Sequence, residues 1–328
     1  MLIFICSFAS KLTKMRKVIA MGETILDILF RNQQPIAAVP GGSCFNSIIS
    51  LGRTGTPSIF VGYSGNDTVG RQTMDFLKDN GVNIDYFTLR ENEKSAVSLA
   101  HLNDNGDASY TFYKNPPMVS DDVVTPDFNN SDVMLFGSYY AACKGTRSFI
   151  EKMLNKAKIS DSIVYYDLNF RSSHKHELEA LTPTLIKNFC SSTIVRGSAD
   201  DFDVMYGLRD AQEIYEKHIG AYCKLFICTS GPGLITVCTP GAIYKFEVPQ
   251  IDAVSTVGAG DNFNAGFVFA LINKGITMGD LHGWMSEDTE KARKAWEALV
   301  EKGSEFASEV CQSNNNSVSM EFAKRQKA

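Results

Sequence analysis

Short apolar runs alternate with longer segments of helical spacing through most of the chain. Residues 17–21 form one such run, ending in Gly22-Glu23, and residues 25–30 continue it with Asp27 enclosed by Leu26 and Ile28. Residues 39–43 read as a loop, and residues 44–51 as a helix that Ser43 can cap. Residues 59–63 read as a strand, and residues 67–80 as a helix stopped by Gly81. This strand–helix–strand–helix order predicts a parallel sheet. Runs at 132–137, 162–167, 193–195 and 225–229 extend it, with a helix over about 144–157. Residues 234–239 and 244–248 read as a hairpin around Gly241. Residues 263–271 are apolar and predict a buried helix. Residues 284–301 are an amphipathic helix, and 303–311 read as one more.

Residues 95–113 break the rhythm. Val97, Leu99 and His101 alternate with other residues, Asn103-Asp104-Asn105-Gly106-Asp107 marks a turn, and residues 109–113 return. The pattern predicts an inserted hairpin whose small sheet covers a site; a plain edge hairpin is the alternative. An apolar face of Val97, Leu99 and Phe112 would let it pair with its copy in a homodimer.

The 328 residues suffice for one large α/β domain or two ordinary ones. No repeat and no Pro- or Ser-rich linker marks a cut. The net charge of -5 argues against nucleic acid and acidic membranes as partners. The eight cysteines show neither a Cys-x-x-Cys pair nor zinc spacing, which predicts free thiols in a reducing cytoplasm. Residues 1–9 are apolar but too short to span a bilayer, and Lys11, Lys14, Arg16 and Lys17 follow rather than precede them. Residues 1–16 therefore read as an extension, with translation beginning at Met15; a membrane-surface anchor or signal segment is the alternative.

The candidate chemistry centres on Gly258-Ala259-Gly260-Asp261. Small residues opening a helix offer free N–H groups and the positive dipole end, which suit a phosphate. A carboxylate beside them suits a general base that strips a hydroxyl proton as it attacks phosphorus; a plain helix cap is the alternative. Gly41-Gly42 with Asn46 forms a second polar helix start. Asp167-Leu168-Asn169-Phe170-Arg171 lies beyond a strand's carboxyl end, where open α/β sheets bind ligands.

Five motifs in order carry a resemblance: Gly22-Glu23-x-x-x-Asp27, Gly41-Gly42-x-x-x-Asn46, Asp167-x-Asn169-x-Arg171, Thr229-x-Gly231, and Gly258-Ala259-Gly260-Asp261 with Phe263 and Gly266. The chain resembles the ribokinase-like (pfkB) carbohydrate and nucleoside kinases over nearly its whole length after Arg16, nearest the fructokinase and 2-keto-3-deoxygluconate kinase branch. The resemblance implies a three-layer α/β/α sandwich with a mostly parallel central sheet and a small β-sheet lid. It implies one kinase domain over 17–328, with lid segments at about 31–40 and 95–113. It implies ATP and Mg²⁺ as cofactors and a primary hydroxyl of a small sugar as acceptor. Asp261 would be the base, and Gly258, Ala259 and Gly260 the anion hole. Asp27, Gly41, Gly42 and Asn46 would hold sugar hydroxyls, with Arg171 and Lys114 placing substrate. Ser198, Thr229, Gly231 and Asn314 would line the nucleotide, and Asp201 would act indirectly on the metal.

Three positions depart from the family pattern. Ser198-x-x-Asp201 replaces the usual Asn-x-x-Glu, and the shorter Asp reaches less far. Ser255 replaces the usual acid before Thr256, which removes support for a monovalent cation (K⁺). Gly233 comes one position early in the nucleotide loop. Ribose, 2-keto-3-deoxygluconate or nucleosides are alternative substrates to fructose, and a non-catalytic sugar-binding regulator is the alternative class. A nicotinamide dehydrogenase is rejected, because Gly22-Glu23-Thr24 stands where Gly-x-Gly-x-x-Gly is required.

Overall fold

Runs rich in Val, Ile and Tyr, buried on both faces, form the centre of a large sheet. The computed structural model describes residues 15–103, 108–119 and 123–327. Its strands are β1 (Val18–Met21), β2 (Ile25–Arg31), β3 (Gln34–Gly41), β4 (Ser58–Gly65), β5 (Val82–Asn83), β6 (Phe87–Arg90), β7 (Val97–Leu102), β8 (Ala108–Tyr113), β9 (Val133–Gly137), β10 (Ile163–Asp167), β11 (Ile194–Ser198), β12 (Phe226–Thr229), β13 (Leu234–Cys238) and β14 (Ile243–Glu247). The large sheet runs β14-β13-β12-β11-β10-β9-β1-β4-β5, with β6 also on β4. Only the β12–β13–β14 end is antiparallel. A separate sheet runs β3-β2-β7-β8.

The helices are α1 (Ser43–Arg53), α2 (Thr68–Asp79), α3 (Ser138–Ala142), α4 (Arg147–Ile159), α5 (Leu178–Ser191), α6 (Ala199–Tyr206), α7 (Ala211–Ile214), α8 (Ala259–Asn273), α9 (Met278–Ser286), α10 (Glu290–Cys311) and α11 (Met320–Lys327). Two cores result, one on each face of the large sheet. Phe45 and Ile48 of α1, Phe267 and Leu271 of α8 and Trp296 of α10 fill one. Phe149 of α4, Phe189 of α5 and Phe202 of α6 fill the other. The architecture is the expected three-layer α/β/α sandwich with a small second sheet. Among the described residues no helix is long and apolar enough to cross a membrane.

Several sequence expectations change. Residues 25–30 do not continue β1. The chain breaks at Gly22-Glu23-Thr24, and β2 crosses to the second sheet, parallel to β7 and antiparallel to β3. Residues 39–41 are not loop; they end β3. Ser43 does not cap α1, whose N-cap is Gly42. The predicted hairpin turn includes residues 104–107, which lie outside the described residues, as do residues 1–14. Val97 and Leu99 do not share a face with Phe112. Register pairs Ser98 with Phe112 and Asp27 with Ser98, so Phe112 lies on Asp27's side. Among the described cysteines Cys190 is exposed and the other six are buried, all as free thiols.

The helix expected over 284–301 is split, with residues 284–286 ending α9, and one continuous α10 joins the remainder to the helix expected over 303–311. Gly303 does not stop it, because the glycine lets α8 approach. A Cβ on Gly303 would lie 2.6 Å from Phe263 Cε2, and one on Gly266 would lie 2.3 Å from the Lys302 carbonyl oxygen. This crossing fixes the start of α8. Gly266→Val is expected to lower unfolding stability by about 2–3 kcal/mol through overpacking. Urea denaturation checks it; an unchanged midpoint would contradict the close crossing.

Candidate functional site

The carboxyl ends of β10, β11 and β12 meet the starts of α1 and α8. Gly258 is the N-cap of α8 with φ 78°, a left-handed conformation that suits glycine. Ala259 donates its N–H to the Thr256 carbonyl at 3.2 Å. Among the described residues, the N–H groups of Gly260 and Asp261 meet no acceptor, as expected at a helix start. Two of the backbone donors at this turn are therefore open to an anion.

Asp261 follows in the first turn of α8 and is buried. Asn46 Nδ2 donates to its Oδ2 at 2.8 Å, and Ser47 Oγ donates to its backbone carbonyl at 2.7 Å. Burial pushes the Asp261 pKa up to about 6, and the Asp167 charge adds to the rise. The bond from Asn46 and the Arg171 charge oppose it.

Asp27 points from β2 into the same region. Ser98 Oγ donates to its Oδ1, and burial raises its pKa against that bond and the Arg171 charge. A Cβ on Gly41 would lie 2.6 Å from Asp27 Oδ2, so the glycine leaves that oxygen room. Asn46 Oδ1 is buried and meets no donor among the described residues. An acceptor left open this way suits a ligand hydroxyl. Arg171 acts electrostatically on Asp27, Asp261 and Tyr110.

Lys114 is engaged with Glu23, its Nζ at 2.6 Å and 2.7 Å from the two carboxylate oxygens. Thr229 Oγ1 accepts from Arg196 Nη2 at 2.6 Å. Gly231 has φ 53° and open space where a Cβ would be. Asn314 is exposed on the loop after α10. That loop reaches the turn through Asn316, whose carbonyl accepts from Asn262 Nδ2 at 2.9 Å. Ser198 and Asp201 form a capping box on α6: the Ser198 N–H and hydroxyl both donate to Asp201 Oδ2, at 2.7 Å and 2.8 Å.

Among the described residues no group of three His, Cys, Asp or Glu side chains could hold a metal alone. An Mg²⁺ ion that takes most of its ligands from phosphate and water would not require such a group. Asp201 is the buried carboxylate on this side, with its pKa raised by burial and opposed by Arg196.

Two residues that the sequence reading left out belong here. Tyr110 of β8 is within electrostatic reach of Asp27, Arg171 and Asp261, and burial pushes its pKa up to about 12. Arg196 of β11 binds Asp167. Strand alternation could have placed Tyr110 on Asp27's face once the register was known. Arg196 lies in the middle of a buried strand, an unusual place for a cation without a partner.

A family model described as "pfkB family carbohydrate kinase" matches residues 15–323. The chain belongs to this family. It is 26% identical over 263 residues to an aminoimidazole riboside kinase of Salmonella typhimurium, covering 78% of this chain and 81% of that one. It is 24% identical over 268 residues to a fructokinase of Escherichia coli, covering 80% and 86%. Of solved structures, the Salmonella enterica aminoimidazole riboside kinase with aminoimidazole riboside and an ATP analogue matches with TM-score 0.78 and 21% identity, over 95% and 100% of the chains. The Vibrio cholerae O395 fructokinase with fructose, ADP and calcium matches with TM-score 0.79 and 19% identity, over 96% and 99%. The pfkB chain is thus a carbohydrate kinase with the ribokinase-like fold.

The raised pKa of Asp261 has a consequence for stability. An unfolded Asp titrates at about 3.9, so the folded state binds the proton more tightly and stability falls as pH rises from there to about 6. Asp261→Asn carries no such charge. Relative to wild type it is expected to gain on the order of 1–2 kcal/mol between pH 4 and pH 8. Urea unfolding at both pH values checks this; a difference independent of pH would contradict the buried charge.

Proposed function

We propose that this kinase transfers the γ-phosphoryl group of ATP to a primary hydroxyl of a small sugar, fructose first. One observation carries the reading. A buried carboxylate with a pKa near 6 is joined to hydroxyl-reading groups on one side and to open backbone N–H groups on the other. Asp27 and the open Asn46 oxygen accept from sugar hydroxyls, and Gly41 and Gly42 shape the chain between them, leaving room for Asp27 Oδ2 and the Glu23 carbonyl. Arg171 and Lys114 line the sugar side. Asp261, ionised at neutral pH yet more basic than an exposed Asp, takes the proton of the attacking hydroxyl.

The N–H groups at the start of α8 accept the charge that develops on the transferred phosphoryl. Gly258 and Ala259 shape that turn. Ser198, Thr229, Gly231 and Asn314 border the nucleotide. Mg²⁺ bound with ATP would neutralise phosphate charge, with Asp201 as its indirect protein partner. The second sheet, with segments 31–40 and 95–113, serves as the lid of a single kinase domain over 17–328, and Tyr110 reaches the site from it. The location we infer is cytoplasmic.

A riboside is the second reading. The Salmonella typhimurium relative named for aminoimidazole riboside matches as well as the fructokinases do, and a riboside offers the same primary hydroxyl.

A panel of fructose, 2-keto-3-deoxygluconate, ribose and aminoimidazole riboside with ATP and Mg²⁺ tests the proposal. One acceptor is expected to be phosphorylated. Asp261→Asn is expected to lose about 10²–10⁴ in kcat with sugar binding kept. Near-normal turnover in that variant would remove the base. Sugar binding without turnover on any acceptor would favour a non-catalytic regulator.

A further inference from the structure

Arg196 takes no part in the steps above, yet it is the cation buried most directly beneath them. It sits in the middle of β11 at 6% exposure. Its Nη1 donates to Asp167 Oδ1 at 3.0 Å and its Nη2 to Thr229 Oγ1 at 2.6 Å. Its guanidinium also lies against the anion-binding turn. A Cβ on Gly260 would lie 2.9 Å from Nη1 and 3.0 Å from Nη2, so glycine at this position makes room for Arg196. The guanidinium carbon stands 5.9 Å from the Phe263 ring centroid, one turn along α8. One side chain therefore ties together the ends of β10, β11 and β12 and the start of α8.

The electrostatic consequence follows from Asp167. That carboxylate is 1% exposed and acts on Asp261. Two buried carboxylates side by side resist joint ionisation unless a cation is close. The groups facing Asp261 can be named. Asp167 lies at the end of β10 and Arg171 beyond it; Asn46, Ser43 and Cys44 lie on α1; Tyr110 comes from β8. Arg171 is exposed, whereas Arg196 is buried and bonded to Asp167. Ser43 gives Asp167 a neutral bond, from Oγ to Oδ2 at 3.3 Å.

We propose that Arg196 is a positioning residue of this kinase site: it neutralises Asp167 beside Asp261 and braces the Gly258–Gly260 turn from beneath. The geometry suits arginine in particular. A planar fork satisfies a carboxylate and a hydroxyl on neighbouring strands at once, which a lysine ammonium does less well. The proposal rests on the reading of Asp261 as the base, so its test uses a readout that needs no turnover.

The experiment is a carboxyl titration by NMR of the full chain labelled with ¹³C at Asp, with Asp261→Asn assigning the Asp261 signal. Wild type is expected to show the Asp261 midpoint at about 6. Arg196→Met is expected to raise the Asp261 midpoint by about 1 pH unit, because the Asp167 charge beside it is no longer neutralised. Arg196→Met with Asp167→Asn removes both charges and is expected to bring the Asp261 midpoint back towards 6. Should Arg196→Met fail to fold, Arg196→Gln is read instead, since it keeps hydrogen bonding without the charge and predicts the same upward move. A folded Arg196→Met or Arg196→Gln that titrates as wild type does would overturn the proposal. A double variant that stays as high as the single one would overturn it too. Failure of the kinase reading appears separately, as a wild-type chain inert on every acceptor with its carboxyl titration intact.

Discussion

A carboxylate that must stay ionisable in a nearly dry place is the constraint on which the site depends. Asp261 is buried at the start of α8, where open backbone N–H groups and the positive helix end soften the cost of its charge. That arrangement holds only if the start of α8 cannot drift. The glycine crossing with α10 fixes the helix from behind, the Ser47 bond to the Asp261 carbonyl fixes it from α1, and Asn262 ties its first turn to the loop before α11. The same crowding that dries the carboxylate therefore also locates it.

The two sheets divide the remaining work. The large sheet brings β10, β11 and β12 to one edge and delivers Asp167, Arg196 and Thr229 there. The second sheet presents Asp27, Ser98, Phe112 and Tyr110 on one face, which register alone requires. The short break at Gly22-Glu23-Thr24 lets one stretch of chain serve both sheets. Glu23 in that break holds Lys114 at the foot of β8, an ion pair that ties the second sheet to the end of β1.

Much of this was legible in the sequence, because small residues and isolated acids stand out against apolar runs. Gly258-Ala259-Gly260-Asp261, Asp27 and Asn46 were found that way, and the structure brings Asn46 against Asp261 and Asp27 into the same region. The alternation of strands and helices was enough to predict the central sheet. What stayed hidden depended on distant packing. The separation of β2 from β1 is a choice between two partners that periodicity cannot make. Gly303 looked like a helix boundary because its packing against Phe263 is a tertiary contact. Arg196 stays unnoticed beyond the run 193–195, since its partners lie 29 and 33 positions away. Ser198 and Asp201, which the resemblance assigns to nucleotide and metal, are locally the capping box of α6.

The central claim is that the ionised form of Asp261 drives phosphoryl transfer. Its most direct measurement is the single-turnover transfer rate, with saturating sugar and ATP, followed from pH 5 to pH 8. The account predicts a rate that rises with pH through one ionisation near 6 and then levels. A rate that is flat across this range, or that falls as Asp261 ionises, would contradict it.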